Sequence, residues 1–178
     1  PGPGGIGNHA YNLSDFLNRN NIEVKVITAS DFTDESAEKK FDAKQNYRVI
    51  RFKRYDSRIR TYRERLKIIS EEVKSENFTH MIFSGRFSLY ASLFLKKFKD
   101  KIKFLAISHV RDINAGNISE KYFITKALKQ MDLIIPVSEY SKTKLPSGIS
   151  DSKIKVIHNG FNFEKMDTLI LRNKPEIK

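Results

Sequence analysis

Residues 102–137, IKFLAISHVRDINAGNISEKYFITKALKQMDLIIPV, contain two short apolar runs separated by an amphipathic segment. The runs at 102–108 and 133–137 are typical of buried strands, and the segment 119–131 has the apolar spacing of a helix. A strand, a helix and a second strand in this order favour parallel strands joined by a helical crossover.

The same alternation extends along most of the chain. Apolar residues at helical spacing predict further helices over 6–19, 57–76, 87–99 and 139–145. Short apolar runs predict further strands over 22–27, 47–52, 78–83 and 154–157. The polar segment 29–46 shows no period and is predicted to be a long surface loop. The predicted fold class is therefore α/β, a Rossmann-like parallel sheet with helices on both faces.

Composition limits the kind of protein. The chain has 178 residues, 39% of them apolar, which suits one domain with a sizeable core. Because it has no cysteine and its four histidines lack ligand spacing, a disulfide scaffold is excluded and no metal is expected. No apolar run reaches the ~18 residues of a membrane-spanning helix. The net charge of +12 favours an anionic partner, which could be nucleic acid, an anionic membrane surface or a phosphorylated ligand.

A glycine-rich turn leads into the first predicted helix. Gly2, Gly4 and Gly7 fit the pattern G-x-G-x-x-G, in which glycines let backbone approach a phosphate at a helix N-terminus. Such a turn normally follows a strand, so we expect a first strand upstream of residue 1. The pattern favours a phosphate-binding turn. A plain strand-to-helix turn and a dinucleotide-dependent oxidoreductase remain alternatives.

Polar residues follow several predicted strands, at the carboxyl ends where parallel sheets bind ligands. His109, Arg111 and Asp112 come after the strand at 102–108, where a histidine can donate to a ligand oxygen and an arginine can hold an anion. The alternatives are a histidine that satisfies a loop carbonyl and a surface Arg–Asp pair. The remaining candidates for this cleft, with surface exposure, helix capping or a plain turn as alternatives, are His9, Arg86, Ser138 and Asn159.

Basic residues are concentrated around the start of the helix predicted at 57–76. The predicted basic patch consists of Arg54, Arg58, Arg60, Arg63, Arg65 and Lys67. Only Asp56 and Glu64 oppose them, and aromatic residues lie among them. We expect this patch to face an anionic membrane surface, and nucleic-acid binding is the alternative.

Three segments resemble the amino-terminal half of the family 4 (group 1) retaining glycosyltransferases. Residues 4–13, GGIGNHAYNL, are similar to the family's "GGIG…L" opening. Residues 132–141, DLIIPVSEYS, resemble its strand-to-helix segment, and residues 153–162, KIKVIHNGFN, resemble its "KI.VI.NGVD" ending. Their order and spacing also match, so the resemblance covers about residues 3–163.

The resemblance implies a GT-B architecture of two Rossmann-like domains facing across a cleft. Residues 1–163 would form the amino-terminal, acceptor-side domain, and residues 164–178 would begin a linker toward an absent donor-binding domain. Gly4 and Gly5 would approach the donor diphosphate, and His109 would lie near the reacting sugar as the catalytic residue. Without the donor-binding domain, the chain by itself is expected to be inactive.

The implied activity is transfer of a hexose from a nucleoside-diphosphate sugar, with retention, to a polysaccharide or lipid-linked acceptor. The family commonly needs no bound metal, so no cofactor is expected besides the donor substrate. Together with the basic patch, the resemblance predicts a bacterial enzyme of polysaccharide or glycolipid assembly. It would be cytoplasmic and peripheral to the inner face of the plasma membrane.

Overall fold

The computed structural model describes residues 5–30, 34–114 and 116–160. Its helices are α1 (Gly5–Arg19), α2 (Glu35–Asp42), α3 (Arg58–Ser75), α4 (Arg86–Phe94), α5 (Val110–Ile113), α6 (Ile118–Lys129) and α7 (Glu139–Thr143). Its strands are β1 (Lys25–Ala29), β2 (Arg48–Phe52), β3 (His80–Ser84), β4 (Lys103–Ser108) and β5 (Leu133–Pro136). All five predicted helices and the first five predicted strands are present, with shifted ends.

The strands form two parallel sheets flanked by helices. Strands β1 and β2 pair in one sheet, and the order β3-β4-β5 makes the other. The register places Ala29 beside Phe52 and Ser84 beside Ile107, so the carboxyl ends of neighbouring strands are level. This arrangement confirms the predicted α/β class and aligns the residues that follow each strand.

The core lies between the three-stranded sheet and helices α4 and α6. Its fully buried side chains include Leu89, Phe104, Ile124, Leu128 and Ile134. Burying a side chain of this size stabilises the fold by ~1.5–3 kcal/mol, so these positions fix helices α4 and α6 against the sheet. Within the described part of the chain, no helix is long and apolar enough to cross a membrane.

The predicted surface loop at 29–46 is wrong, because part of it forms helix α2. The side chain of Asp34 caps this helix by accepting from the backbone N–H of Ser36 at 2.8 Å. The buried side chain of α2 is Glu38, which accepts from the Ser30 hydroxyl and pairs with Arg51 at 3.4 Å. The helix is therefore docked mainly by ion pairs, with an aromatic contact between Phe41 and Tyr11, and a search for apolar periodicity does not detect it.

The strand predicted at 154–157 is wrong as a full strand. The structure records a single β-bridge, between Ile134 and Ile154, although the backbone N–H groups of Lys155 and Ile157 donate to β5 carbonyls at 3.0 Å. Glycines 2 and 4 and the predicted linker at 164–178 lie outside the described residues.

Candidate functional site

A tight turn after β4 carries the first two candidates. His109 is extended and precedes the one-turn helix α5, and the backbone N–H of Asp112 donates to the His109 carbonyl at 2.9 Å. The turn directs Asp112 inward, where the residue is 3% exposed and Oδ2 has no hydrogen-bond partner within the described ranges. Burial raises the pKa of Asp112, whereas the charges of His109 and Arg86 and their backbone N–H groups oppose this rise.

His9 joins this site from a distant part of the sequence. Its ring meets the ring of His109 edge-on, with centroids 5.4 Å apart and planes at 84°. His9 Nδ1 and His109 Nε2 are both buried and have no hydrogen-bond partner among the described residues. Burial lowers the pKa of His9 and the neighbouring His109 lowers it further, which favours a neutral imidazole at His9 near pH 7.

Two strand-terminal serines extend the same edge. Ser84 ends β3 and Ser108 ends β4, and both hydroxyls are buried without a partner. We call His9, Ser84, Ser108, His109 and Asp112 the edge cluster. An unsatisfied buried polar group costs ~1–3 kcal/mol, so five of them at one end of the strands indicate a place that a polar ligand completes. The sequence analysis did not select the serines, although each directly follows an apolar run.

Arg86 holds the turn beside the edge cluster. It follows Gly85, whose φ of 89° is a conformation that favours glycine at this strand-to-helix junction. The Arg86 guanidinium donates to the carbonyls of Arg111 at 2.7 Å and Asn114 at 2.6 Å, and it lies 3.3 Å from Glu120. Arg86 therefore acts as a clamp on the turn at 109–114.

The remaining cleft candidates differ in their surroundings. Arg111 and Asn159 are exposed. Ser138 caps α7 by accepting from the backbone N–H of Ser141 at 3.0 Å, as the capping alternative predicted. Gly5 begins α1, and a Cβ built there would meet no atom of the described residues within 4 Å.

The predicted basic patch is divided by the structure. Arg54, Arg58, Arg60, Arg63 and Lys67 are exposed, whereas Arg65 is half-buried. The apolar side chain of Ile59 is 74% exposed among them and lines a groove of about 630 Å³ together with Arg60, Arg63 and Lys67. The patch therefore combines positive charge with an exposed apolar residue. Nowhere in the described ranges do three or more His, Asp or Glu side chains form a metal-binding group.

Comparison with known proteins gives one match to a family. The sequence model of Glycosyltransferase Family 4 matches residues 3–165. No curated protein matches the chain. Among solved structures, a sucrose-phosphate synthase chain from Thermosynechococcus elongatus aligns with a TM-score of 0.46 and 15% identity, covering 84% of this chain and 96% of that chain.

Proposed function

The chain belongs to glycosyltransferase family 4, and from this membership we propose that it is the acceptor-side domain of a retaining hexosyltransferase. The donor is a nucleoside-diphosphate sugar, and the acceptor is a polysaccharide or a lipid-linked glycan. Family membership also argues against the dinucleotide-dependent oxidoreductase that the glycine turn left open.

The observation that carries the proposal is the edge cluster. Its five buried polar atoms have no partner in the described part of the chain. Four of them follow or end parallel strands at their carboxyl ends, where α/β sheets bind ligands, and the fifth, on His9, reaches this edge from α1. A sugar offers many hydroxyl groups and a diphosphate offers many acceptor oxygens. Both chemistries suit a cluster of imidazole nitrogens, hydroxyls and a carboxylate.

We assign roles to the cluster residues from their geometry. The buried Nε2 of His109 donates to an oxygen of the reacting sugar or of its diphosphate, while His9, kept neutral, packs against the His109 ring and orients it. Asp112 lies beside His109 and Arg86, whose charges favour its ionised form. Gly5 leaves the start of α1 open to the donor diphosphate, which the helix N-terminus favours electrostatically.

The transfer needs few protein groups. The bond between the anomeric carbon and the diphosphate oxygen breaks, and a bond to the acceptor oxygen forms on the same face. The acceptor proton passes to the departing diphosphate, so the protein contributes mainly positioning and electrostatic stabilisation. This route requires no bound metal. Most contacts to the donor would then come from a second, donor-binding domain.

The basic patch supports a location at the inner face of a bacterial plasma membrane. Exposed Arg60, Arg63 and Lys67 line a groove with the exposed Ile59, and an anionic bilayer attracts each such charge by ~1 kcal/mol. Docking through this face would bring a lipid-linked acceptor to the carboxyl edge of the strands.

The test is release of nucleoside diphosphate by the full-length protein from a panel of sugar donors, in the presence of anionic lipid vesicles. A Cβ at Gly5 meets no described atom within 4 Å, so Gly5→Ala should fold, and the thermal midpoint of Gly5→Val is measured to check that its larger side chain is also accommodated. Donor use should fall in the order of side-chain size, because each added carbon enters the space of the diphosphate. Asn12→Ala, at an exposed position of the same helix, is the matched control and should retain activity.

Full activity of Gly5→Val would contradict the role of the glycine turn. If no donor is consumed and none raises the thermal midpoint, the transferase proposal itself is wrong.

A further inference from the structure

Arg65 has surroundings unlike those of the other arginines on α3. Its guanidinium carbon lies 5.3 Å from the ring centroid of Phe52, the buried last residue of β2. Its Nε is buried and has no hydrogen-bond partner. Arg58, Arg60 and Arg63 are instead exposed to solvent.

No carboxylate in the described part of the chain compensates this charge. Across the described residues, the titratable groups that interact with Arg65 are Tyr62 and Arg54, and Arg54 carries the same sign. Burial lowers the pKa of Arg65, and Arg54 lowers it further. Burial of Tyr62 raises its pKa to about 12, so the phenol is neutral and supplies no negative charge near pH 7.

Arg51, which precedes Phe52 on β2, shows how this protein pairs a largely buried arginine. It forms two bonds to Asp42 at 2.7 and 2.8 Å and a third to Glu38 at 3.4 Å. A buried charge without a partner is strongly unfavourable, and stacking on one aromatic ring offsets only part of that cost. Among the described residues, Arg65 therefore has no carboxylate as a counterion, and its guanidinium is suited to binding an external anion.

Arg65 also lies on the ligand-binding side of the sheets. Phe52 ends β2, and Tyr62, one turn before Arg65, donates to the carbonyl of Phe87 at 3.4 Å just after β3. The Tyr62 and Phe87 rings are 5.4 Å apart. The first turns of α3 thus cover the carboxyl ends of both β2 and β3, on the edge that holds the edge cluster.

We propose that Arg65 is an anion subsite that binds a phosphate group of the acceptor. A planar guanidinium donates two parallel bonds to a phosphate, and a half-buried, stacked guanidinium has few other orientations. Anion binding follows from the geometry of Arg65 alone, whereas its assignment to the acceptor rests on the proposed function. The phosphate belongs either to a lipid-linked acceptor or to a soluble phosphorylated one.

The test is a calorimetric titration of the protein with inorganic pyrophosphate at constant ionic strength. Arg65→Met removes the charge and keeps a similar stem, and Lys74→Met removes a charge at an exposed position of the same helix, outside the basic patch. Arg65→Met should weaken pyrophosphate binding by about tenfold or more, and Lys74→Met by less than about twofold. Arg65→Lys keeps the charge without the planar guanidinium, so its pyrophosphate affinity should lie between those of the two methionine variants.

Thermal unfolding without ligand separates this role from a structural one. If Arg65 serves to bind a ligand, Arg65→Met should unfold at the same temperature as the unchanged protein or at a higher one, because the substitution removes an uncompensated buried charge. A lower midpoint, failure to fold, or equal pyrophosphate affinity in both methionine variants would overturn the proposal.

Two further arms identify the source of the phosphate. If the acceptor is lipid-linked, phosphatidic acid vesicles should compete with pyrophosphate, whereas competition by a soluble sugar phosphate alone indicates a soluble acceptor. Competition by neither overturns the assignment to the acceptor. Release of nucleoside diphosphate from the donor is measured separately, so loss of the subsite and loss of the transferase activity give different results.

Discussion

The clamp formed by Arg86 gives the sharpest prediction about stability. The guanidinium donates to two carbonyls, of Arg111 at 2.7 Å and of Asn114 at 2.6 Å, and its side chain is 29% exposed. Hydrogen bonds to a charged group contribute ~1.5–3 kcal/mol each, and partial exposure places these at the low end. The Glu120 pair at 3.3 Å is also partly exposed and adds at most ~1 kcal/mol.

Arg86→Ala should therefore lower the free energy of unfolding by about 3 kcal/mol. For a chain of this size, 1 kcal/mol shifts the thermal midpoint by ~2–4 °C, so the expected loss is about 6–12 °C. Circular dichroism melts and urea titrations measure both quantities. Because Arg86 also favours the ionised form of Asp112, its removal should raise the pKa of Asp112 further.

The matched control is Arg111→Ala. The Arg111 side chain is exposed, and only its backbone carbonyl takes part in the clamp, so the change should stay within ~0.5 kcal/mol. Equal stability of the two alanine variants would refute the clamp. A destabilised Arg86→Ala whose Asp112 pKa is unchanged would show that the turn is held without affecting the carboxyl.

Two further predictions follow from Asp112 and from the basic patch. Burial raises the pKa of Asp112 above 3.8, so the folded state binds this proton more tightly and loses stability as pH rises through the folded pKa. Asp112→Asn should remove that loss. In urea titrations from pH 4 to 7, the free energy of unfolding of the variant should therefore rise relative to that of the parent, and a constant difference between the two would contradict the prediction. Changing Arg58, Arg60 and Arg63 to Glu should weaken co-sedimentation with anionic vesicles by at least about 100-fold, since each lost charge removes ~1 kcal/mol. The same change at the exposed Lys121, Lys126 and Lys129 should have a much smaller effect, and equal losses would argue against a defined membrane face.

The two mispredicted segments show where sequence patterns fail. Helix α2 escaped detection because its buried contact is the ion pair between Glu38 and Arg51, which leaves no apolar period. The segment 154–157 has the composition of a strand but makes a single β-bridge, to Ile134. In both cases the outcome depends on a partner distant in the chain. Local spacing carries no information about such a partner.

The candidate site was predicted in part. The sequence indicated His9, His109 and Asp112 because strand ends and helix starts can be located from periodicity. It did not indicate that His9 and His109 touch, that Ser84 and Ser108 are buried without partners, or that Arg86 clamps a neighbouring turn.

The sequence by itself determined the α/β class, the order of the strands and helices, and the family, because these follow from short-range periodicity and from motifs contiguous in the chain. Only the tertiary structure decided which polar groups are buried and which charges are compensated. Arg51 and Arg65 illustrate the difference, since both are arginines of a basic segment, yet one is fully paired and the other has no carboxylate among the described residues. Desolvation and pairing depend on what packs around a side chain, and only folding supplies those neighbours.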